Sequence, residues 1–243
     1  MINTRNILSA TFHVIALIHN VHAIGYCHFS FKENVEEDDG VDQRILDMKN
    51  FGMLFFTSWN MIIQILYFSL AVLSDILRFS YSKSTLIEKI LRLRGYFYTS
   101  MLFPCSIFVC TMFWGVYSIN REWVLPSVLD KYVPDWLNHC LHTNIIIFLT
   151  IEVLLVNQFI PSYKSSLLGL TVLTLIYDTI FFATYFLRGR WIYGIFHFLS
   201  WPERIFFMLF NYLIVLMTMR IGIVIENFKY NQLTKNKKYT SNS

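Results

Sequence analysis

Residues 51–75 read FGMLFFTSWNMIIQILYFSLAVLSD, a run with no Asp, Glu, Lys or Arg before Asp75. At a helical rise of ~1.5 Å per residue, such a run matches the ~30 Å hydrocarbon core of a bilayer. Working outward, five more apolar runs of similar length lie at about 7–29, 96–118, 139–160, 166–187 and 205–226. The composition agrees: 55% hydrophobic, 18% aromatic and only 15% charged, with a mean hydropathy of +0.47. A soluble domain carries about 25% charged residues. The expected fold is therefore all-α, a polytopic membrane bundle of six transmembrane helices forming a single domain over 1–243. No room is left for a separate soluble catalytic domain, so any chemistry belongs to the bundle.

The first span holds His13, His19 and His22, which makes it the least apolar of the six. Its length and the lack of a clean A-x-A site favour an uncleaved span over a signal peptide. Pro104 predicts a kink in the third span. Among the connections, the acidic run from Glu33 to Asp42 is solvated. Thr85-x-x-Glu88 is a capping box, and with Ile87, Ile90, Leu91, Arg92 and Arg94 it predicts a short basic amphipathic helix on a membrane face. The segment RGRWIYGIFHFLSWPER (188–204) is too aromatic for a plain aqueous loop and is expected to dip into the interface or cover a cavity. Six spans put both termini on one side. Lys and Arg are more numerous there, so the positive-inside rule favours cytoplasmic termini in a plasma membrane or an endomembrane. The net charge of +4 is small and scattered, which argues against nucleic acid as a partner. Cys27, Cys105, Cys110 and Cys140 form no CxxC pair, so neither metal nor cofactor is expected from them.

Polar residues inside the hydrocarbon region carry the functional signal. Thr57, Asn60 and Gln64 recur at i, i+3, i+7 and share a helix face, serving either inter-helical hydrogen bonds or catalysis. In Trp136-Leu137-Asn138-His139-Cys140-Leu141-His142-Thr143, the two histidines stand at i, i+3. The HExxH metal pattern is absent, which leaves interfacial histidines or a general base. Spans 2 and 4 begin on the same side of the membrane. Thr57 lies about 9 Å into its span and His142 about 6 Å into its own, so hydroxyl and imidazole share a leaflet. They meet if the two spans are neighbours.

The residues Arg121–Thr143, REWVLPSVLDKYVPDWLNHCLHT, carry a family resemblance. They are similar to the signature R-[ED]-x-x-x-P-x-x-L-D-x-x-x-P-x-W-L-N-H-x-x-H-T of the androgen-induced / androgen-dependent TFPI-regulating membrane protein family. The position before Pro126, usually Tyr, is Leu125 here. Phe103-Pro104, Glu152, Pro161-Ser162, Trp191-x-Tyr193 and the Thr57/Asn60/Gln64 pattern agree, so the resemblance covers essentially the whole chain. It is weak in the first span and the acidic loop.

The family resemblance implies an atypical hydrolase of fatty acid esters of hydroxy fatty acids, with Thr57 as nucleophile and His142 as base. Its partners would be the bilayer and the branched ester substrate; protein partners are unknown. The α/β-hydrolase route is closed, because no G-x-S-x-G elbow exists in the chain. Asn138, Asn60 or backbone amides are candidates for holding the oxyanion, and His139 and Asp178 are supporting candidates. Glu152, about 15 Å along the axis from His142, is too far to orient it directly. His13, His19, His22 and His197 read as structural or interfacial. The alternative is a non-enzymatic membrane regulator that binds proteins or lipids. A transporter is disfavoured, because no internal repeat is visible and intramembrane charges are few. The enzyme reading further expects a partly enclosed apolar cavity beside Thr57 and His142.

Overall fold

The computed structural model describes residues 4–35, 40–80 and 85–241, and among these the chain is predominantly helical, with no strand. Nine α-helices follow in order: α1 (Thr4–Asn34), α2 (Gln43–Phe51), α3 (Phe56–Ser80), α4 (Thr85–Phe97), α5 (Phe103–Asn120), α6 (Asp135–His142), α7 (Asn144–Leu155), α8 (Tyr163–Arg188) and α9 (Trp201–Ser241). They form six segments long and apolar enough to cross a membrane: Thr4–Phe29, Gln43–Phe79, Thr85–Trp123, Asp135–Leu155, Tyr163–Arg188 and Trp201–Gln232. The protein is an all-α polytopic bundle. Part of the acidic run and the start of the second connection lie outside the described residues.

The outer surface is what a bilayer demands. Ile15 and Ile18 of α1, Leu168 and Leu175 of α8, and Leu209, Leu213 and Met217 of α9 all point outward, where lipid replaces a second protein layer. Inside, α1 lies along α3 and α5 along α9, α7 contacts α1 and α5, and α6 touches α3. Spans 2 and 4 are therefore neighbours on the side opposite the termini.

Several boundaries differ from the sequence reading. The basic segment at 85–97 is no separate helix lying on the membrane face. It runs through a π-helical turn, Tyr98–Leu102, directly into α5. Arg94 is buried, and a Cβ on Gly95 would come 2.0 Å from the Phe159 carbonyl oxygen, so this helix is packed into the bundle. The widened turn has a local cause. Pro104 has no N–H for the Ser100 carbonyl, and the Phe103 N–H reaches back to the Tyr98 oxygen. The fourth span starts earlier and stops earlier than 139–160, and it breaks at Thr143. Its end at Leu155 lets Gln158 turn inward, where its backbone N–H meets Glu226 at 3.2 Å.

Intramembrane charge is also more plentiful than the apolar runs suggested. On the termini side, His13 Nδ1 lies 2.6 Å from Asp75 and Nε2 lies 2.9 Å from Glu152. Glu152 also accepts from the Tyr67 hydroxyl at 2.5 Å and from Gln158 Nε2 at 2.7 Å. Arg94 donates to Ser74 at 2.9 Å, and Glu226 accepts from Lys229 at 2.8 Å and from the Tyr98 hydroxyl at 3.3 Å. These residues join α1, α3, α4, the π turn, α7 and α9. In hydrocarbon such groups must satisfy one another, since water is not there to do so. Each ring nitrogen of His13 faces a carboxylate, so His13 bridges two helices.

Removing one partner of a buried ionic network leaves the others uncompensated, at a cost of about 3–5 kcal/mol. Glu152→Ala should lower the thermal midpoint and the yield of monodisperse protein in detergent. Phe206→Ala, on the lipid-facing side of α9, should leave both near wild type.

Candidate active site

Thr57 is the second residue of α3. The helix starts there because Gly52–Leu54 forms a 3-10 turn and Phe55 is extended (ψ 140°), so the chain re-enters helix only at Phe56. Thr57 is thus in the first turn of its helix, not several residues along a continuous span. The Ser58 hydroxyl is committed to the Gly52 carbonyl at 2.7 Å, which pins the turn and removes Ser58 from competition. Thr57 Oγ1 lies 3.2 Å from His142 Nε2.

His142 closes α6. Its Nδ1 is 3.1 Å from the Asn138 carbonyl and 2.8 Å from Asn138 Oδ1, one helical turn back. A backbone carbonyl can only accept, so Nδ1 carries the proton. In the neutral ring Nε2 is then the acceptor, and the Thr57 hydroxyl donates to it. The ring is held from a second direction by Phe113 of α5, stacked on it at 3.5 Å between centroids and 9° between planes. Imidazole rotation is blocked on its face by packing and at its edge by two hydrogen bonds, while the basic nitrogen stays on the hydroxyl.

A partly enclosed cavity of about 180 Å³ lies beside this pair. Thr57, Asn138 and His142 line it, with Phe108 and Met112 of α5 and Phe207 of α9 among its apolar walls. The connections at 121–134 and 189–200 cover it through Leu125, Val133, Tyr193 and Phe196. Ion pairs between Arg44 and Glu122 at 2.9 Å, and between Arg190 and Asp47 at 3.3 Å, tie α2 to both connections. Arg121 pairs with Asp130 within the first of them.

The other sequence candidates separate. The Asn138 side-chain oxygen is spent on His142, which makes this residue an orienting partner, while its amide N–H2 remains on the cavity wall as a candidate donor. Asn60 is fully buried against α5, with Oδ1 3.5 Å from the Ser106 hydroxyl that also receives Gln64 Nε2 at 2.9 Å. Among the described residues these two side chains knit α3 to α5, and neither belongs to the cavity wall. His139 turns away, with Nδ1 3.0 Å from Thr143 Oγ1 and its ring over Trp114. Asp178 lines the cavity from α8, level with the first turn of α3, because the adjacent Tyr177 packs on Phe56 and Trp59. No group of three or more His, Cys, Asp or Glu side chains is placed to share a metal ion among the described residues.

Two residues escaped the sequence reading. Tyr193 Oη accepts from the Phe56 N–H at 2.9 Å, and the Tyr177 hydroxyl donates to Tyr193 at 3.4 Å. Burial pushes the Tyr193 phenol above its ordinary pKa, so it keeps its proton at neutral pH. The Trp191-x-Tyr193 spacing was the only signal in the sequence, and spacing cannot say which helix end the ring will reach.

The profile of the FAR-17a/AIG1-like proteins matches residues 8–227. The chain belongs to that family. Its relatives include the androgen-dependent TFPI-regulating protein of Homo sapiens, 27% identical over 213 residues, which is 88% of this chain and 92% of the relative. The same-named protein of Mesocricetus auratus is 30% identical over 181 residues, 74% of this chain and 78% of the relative. Androgen-induced gene 1 protein of Homo sapiens is 28% identical over 185 residues, 72% and 76% of the two chains. No solved structure matches the chain. The FAR-17a/AIG1-like match reaches into all six membrane segments, and the pair and the cavity both fall inside it.

The cavity predicts uptake of a long apolar chain. Met112→Trp, which fills the cavity from α5, should weaken binding of a fluorescent fatty-acyl probe at least about tenfold, or ~1.4 kcal/mol, with the thermal midpoint within a few degrees of wild type.

Proposed function

We propose that this protein is a membrane-embedded ester hydrolase that uses Thr57 as nucleophile and His142 as general base. The observation that carries the reading is the Thr57–His142 contact on a cavity wall, with the far nitrogen of His142 already occupied. A threonine hydroxyl is a weak nucleophile until an adjacent base takes its proton, and this arrangement supplies that base. His142 Nε2 accepts the Thr57 proton as Oγ1 bonds to the ester carbonyl carbon. The imidazolium then gives that proton to the departing alkoxide, leaving an acyl-threonine and an alcohol. Water enters, loses a proton to Nε2, and releases the acid with Thr57 restored. Asn138 keeps the tautomer through both halves, the role that the third member plays in Ser-His-Asp triads.

The apolar walls suit a substrate with long acyl chains. The family resemblance narrows it to fatty acid esters of hydroxy fatty acids, whose ester sits at a branch point between two chains. No cofactor is called for. The whole chain acts as one six-span unit in a plasma membrane or endomembrane, with both termini in the cytoplasm on the strength of the Lys and Arg bias.

A second reading also has support. Asn60 and Gln64, two of the three polar residues on the Thr57 face, serve helix packing, and two of the three relatives described above are named for TFPI regulation. A non-enzymatic regulator would use Thr57 in the same structural way.

Mutants divide the two readings. Thr57→Ala and His142→Ala should each cut ester hydrolysis by at least about 10³-fold, with insertion and stability nearly intact. Thr57→Ser should keep measurable activity, and the double mutant should be scarcely worse than either single mutant. A fluorophosphonate probe should label wild type and leave Thr57→Ala unlabelled. Equal, additive losses at Thr57, Asn60 and Gln64 together with poor folding would favour the regulator.

A further inference from the structure

An ester hydrolase must hold the negative charge that builds on the carbonyl oxygen, which calls for N–H or O–H donors on the cavity wall. Asn138 gives its oxygen to His142, and Asn60 lies away from the cavity against Ser106. Besides the Asn138 amide N–H2, the cavity wall carries two phenols.

Tyr193 and Tyr177 both line the cavity, and both meet the N-terminal end of α3. The Phe56 N–H, one residue before Thr57, donates to Tyr193 Oη at 2.9 Å, and the Tyr177 hydroxyl adds a second donation at 3.4 Å. An oxygen that accepts twice has its own O–H polarised, and such chains strengthen the outgoing bond. The Tyr193 proton has no acceptor among the described residues. Even with the pair's direction reversed, one of the two phenolic protons is left for the cavity. Tyr193 is also fixed in place, with its ring edge-on to Phe55 at 5.1 Å between centroids.

We propose that the Tyr193 hydroxyl, backed by Tyr177, is an oxyanion-binding group of the site. This assignment rests on the hydrolase reading above. As Thr57 Oγ1 bonds to the carbonyl carbon, the C=O π pair moves onto the carbonyl oxygen. The Tyr193 O–H donates a hydrogen bond to that oxygen without transferring its proton. When the tetrahedral species collapses, the pair returns, the alkoxide leaves with the proton from His142, and Tyr193 is unchanged. A fixed donor aimed at developing charge is worth most in a water-poor cavity, where no solvent competes. The same wall then selects for a carbonyl ester whose oxygen faces the 189–200 connection, with its acyl chain running between α5, α8 and α9.

The test uses full-length protein in detergent with a p-nitrophenyl long-chain ester and, as inhibitor, a long-chain trifluoromethyl ketone. Tyr193→Phe should lower kcat about 10²- to 10³-fold, the usual effect of losing one oxyanion donor, with KM changed less than about threefold. Its affinity for the trifluoromethyl ketone, whose adduct carries the oxyanion, should fall in step with kcat/KM. Tyr177→Phe should lose about tenfold in kcat, since it removes only the supporting donation. Full activity in Tyr193→Phe while Thr57→Ala is dead overturns the assignment and leaves the hydrolase standing. A Tyr193→Phe loss matched by an equal fall in affinity for the corresponding unreactive amide marks Tyr193 as a structural cap of α3 and also overturns it. If wild type shows no more turnover than Thr57→Ala, the hydrolase reading and this assignment fall together.

Discussion

Glu152 sits at the end of α7 with no exposed surface, and its two oxygens are shared among His13, Tyr67 and Gln158. In water a carboxylate can be satisfied by solvent. In the middle of an apolar bundle it must be satisfied by the protein, and each donor comes from a different part of the chain. That requirement draws α1 against α7 through His13 and α3 against both through Tyr67 and Asp75. The fourth span ends at Leu155, which lets Gln158 turn back to the same carboxylate. Lipid offers little hydrophobic drive for helices to associate, so directional polar contacts of this kind carry an unusual share of the specificity of packing.

The two ends of the bundle divide the work. The termini side is closed by the ionic network and by tight approaches such as Gly95 on the Phe159 carbonyl. The opposite side is left with space: two connections and α2 arch over a cavity rather than filling it. A rigid base under a roofed cavity suits the proposed hydrolase, in which Thr57 and His142 would stay within hydrogen-bond reach while a flexible chain enters beside them. The stacking of Phe113 on His142 extends that rigidity into the site, because α5 is continuous through the π turn with the helix that carries Arg94.

Some of this was legible in the residues themselves. The six apolar runs follow from length and charge alone, since a bilayer imposes a minimum length on any helix that crosses it. The face shared by Thr57, Asn60 and Gln64 follows from helical periodicity, and the placing of Thr57 and His142 in one leaflet follows from counting. The neighbourhood of α3 and α6 did not follow, nor did the division of the polar face into one residue at the cavity and two in a packing contact. Periodicity assigns residues to a face of one helix, and it says nothing about which helix that face meets. The continuity of α4 with α5 was hidden for a related reason: a basic amphipathic pattern reads the same whether Arg94 faces headgroups or a buried serine.

The sequence by itself therefore determined the solvent, the number of crossings and the chemistry on offer, because these depend on composition and on distances along the chain. The family resemblance belongs to that same level, since it rests on motifs in order. Only the tertiary structure decided that Asn138 turns its oxygen to His142, that His13 bridges two carboxylates, and that Tyr193 returns from a loop to the first turn of α3. Each of these joins residues four to 139 positions apart. The longer links depend on how six helices pack against one another, and even the short one depends on which rotamer the neighbouring helix allows.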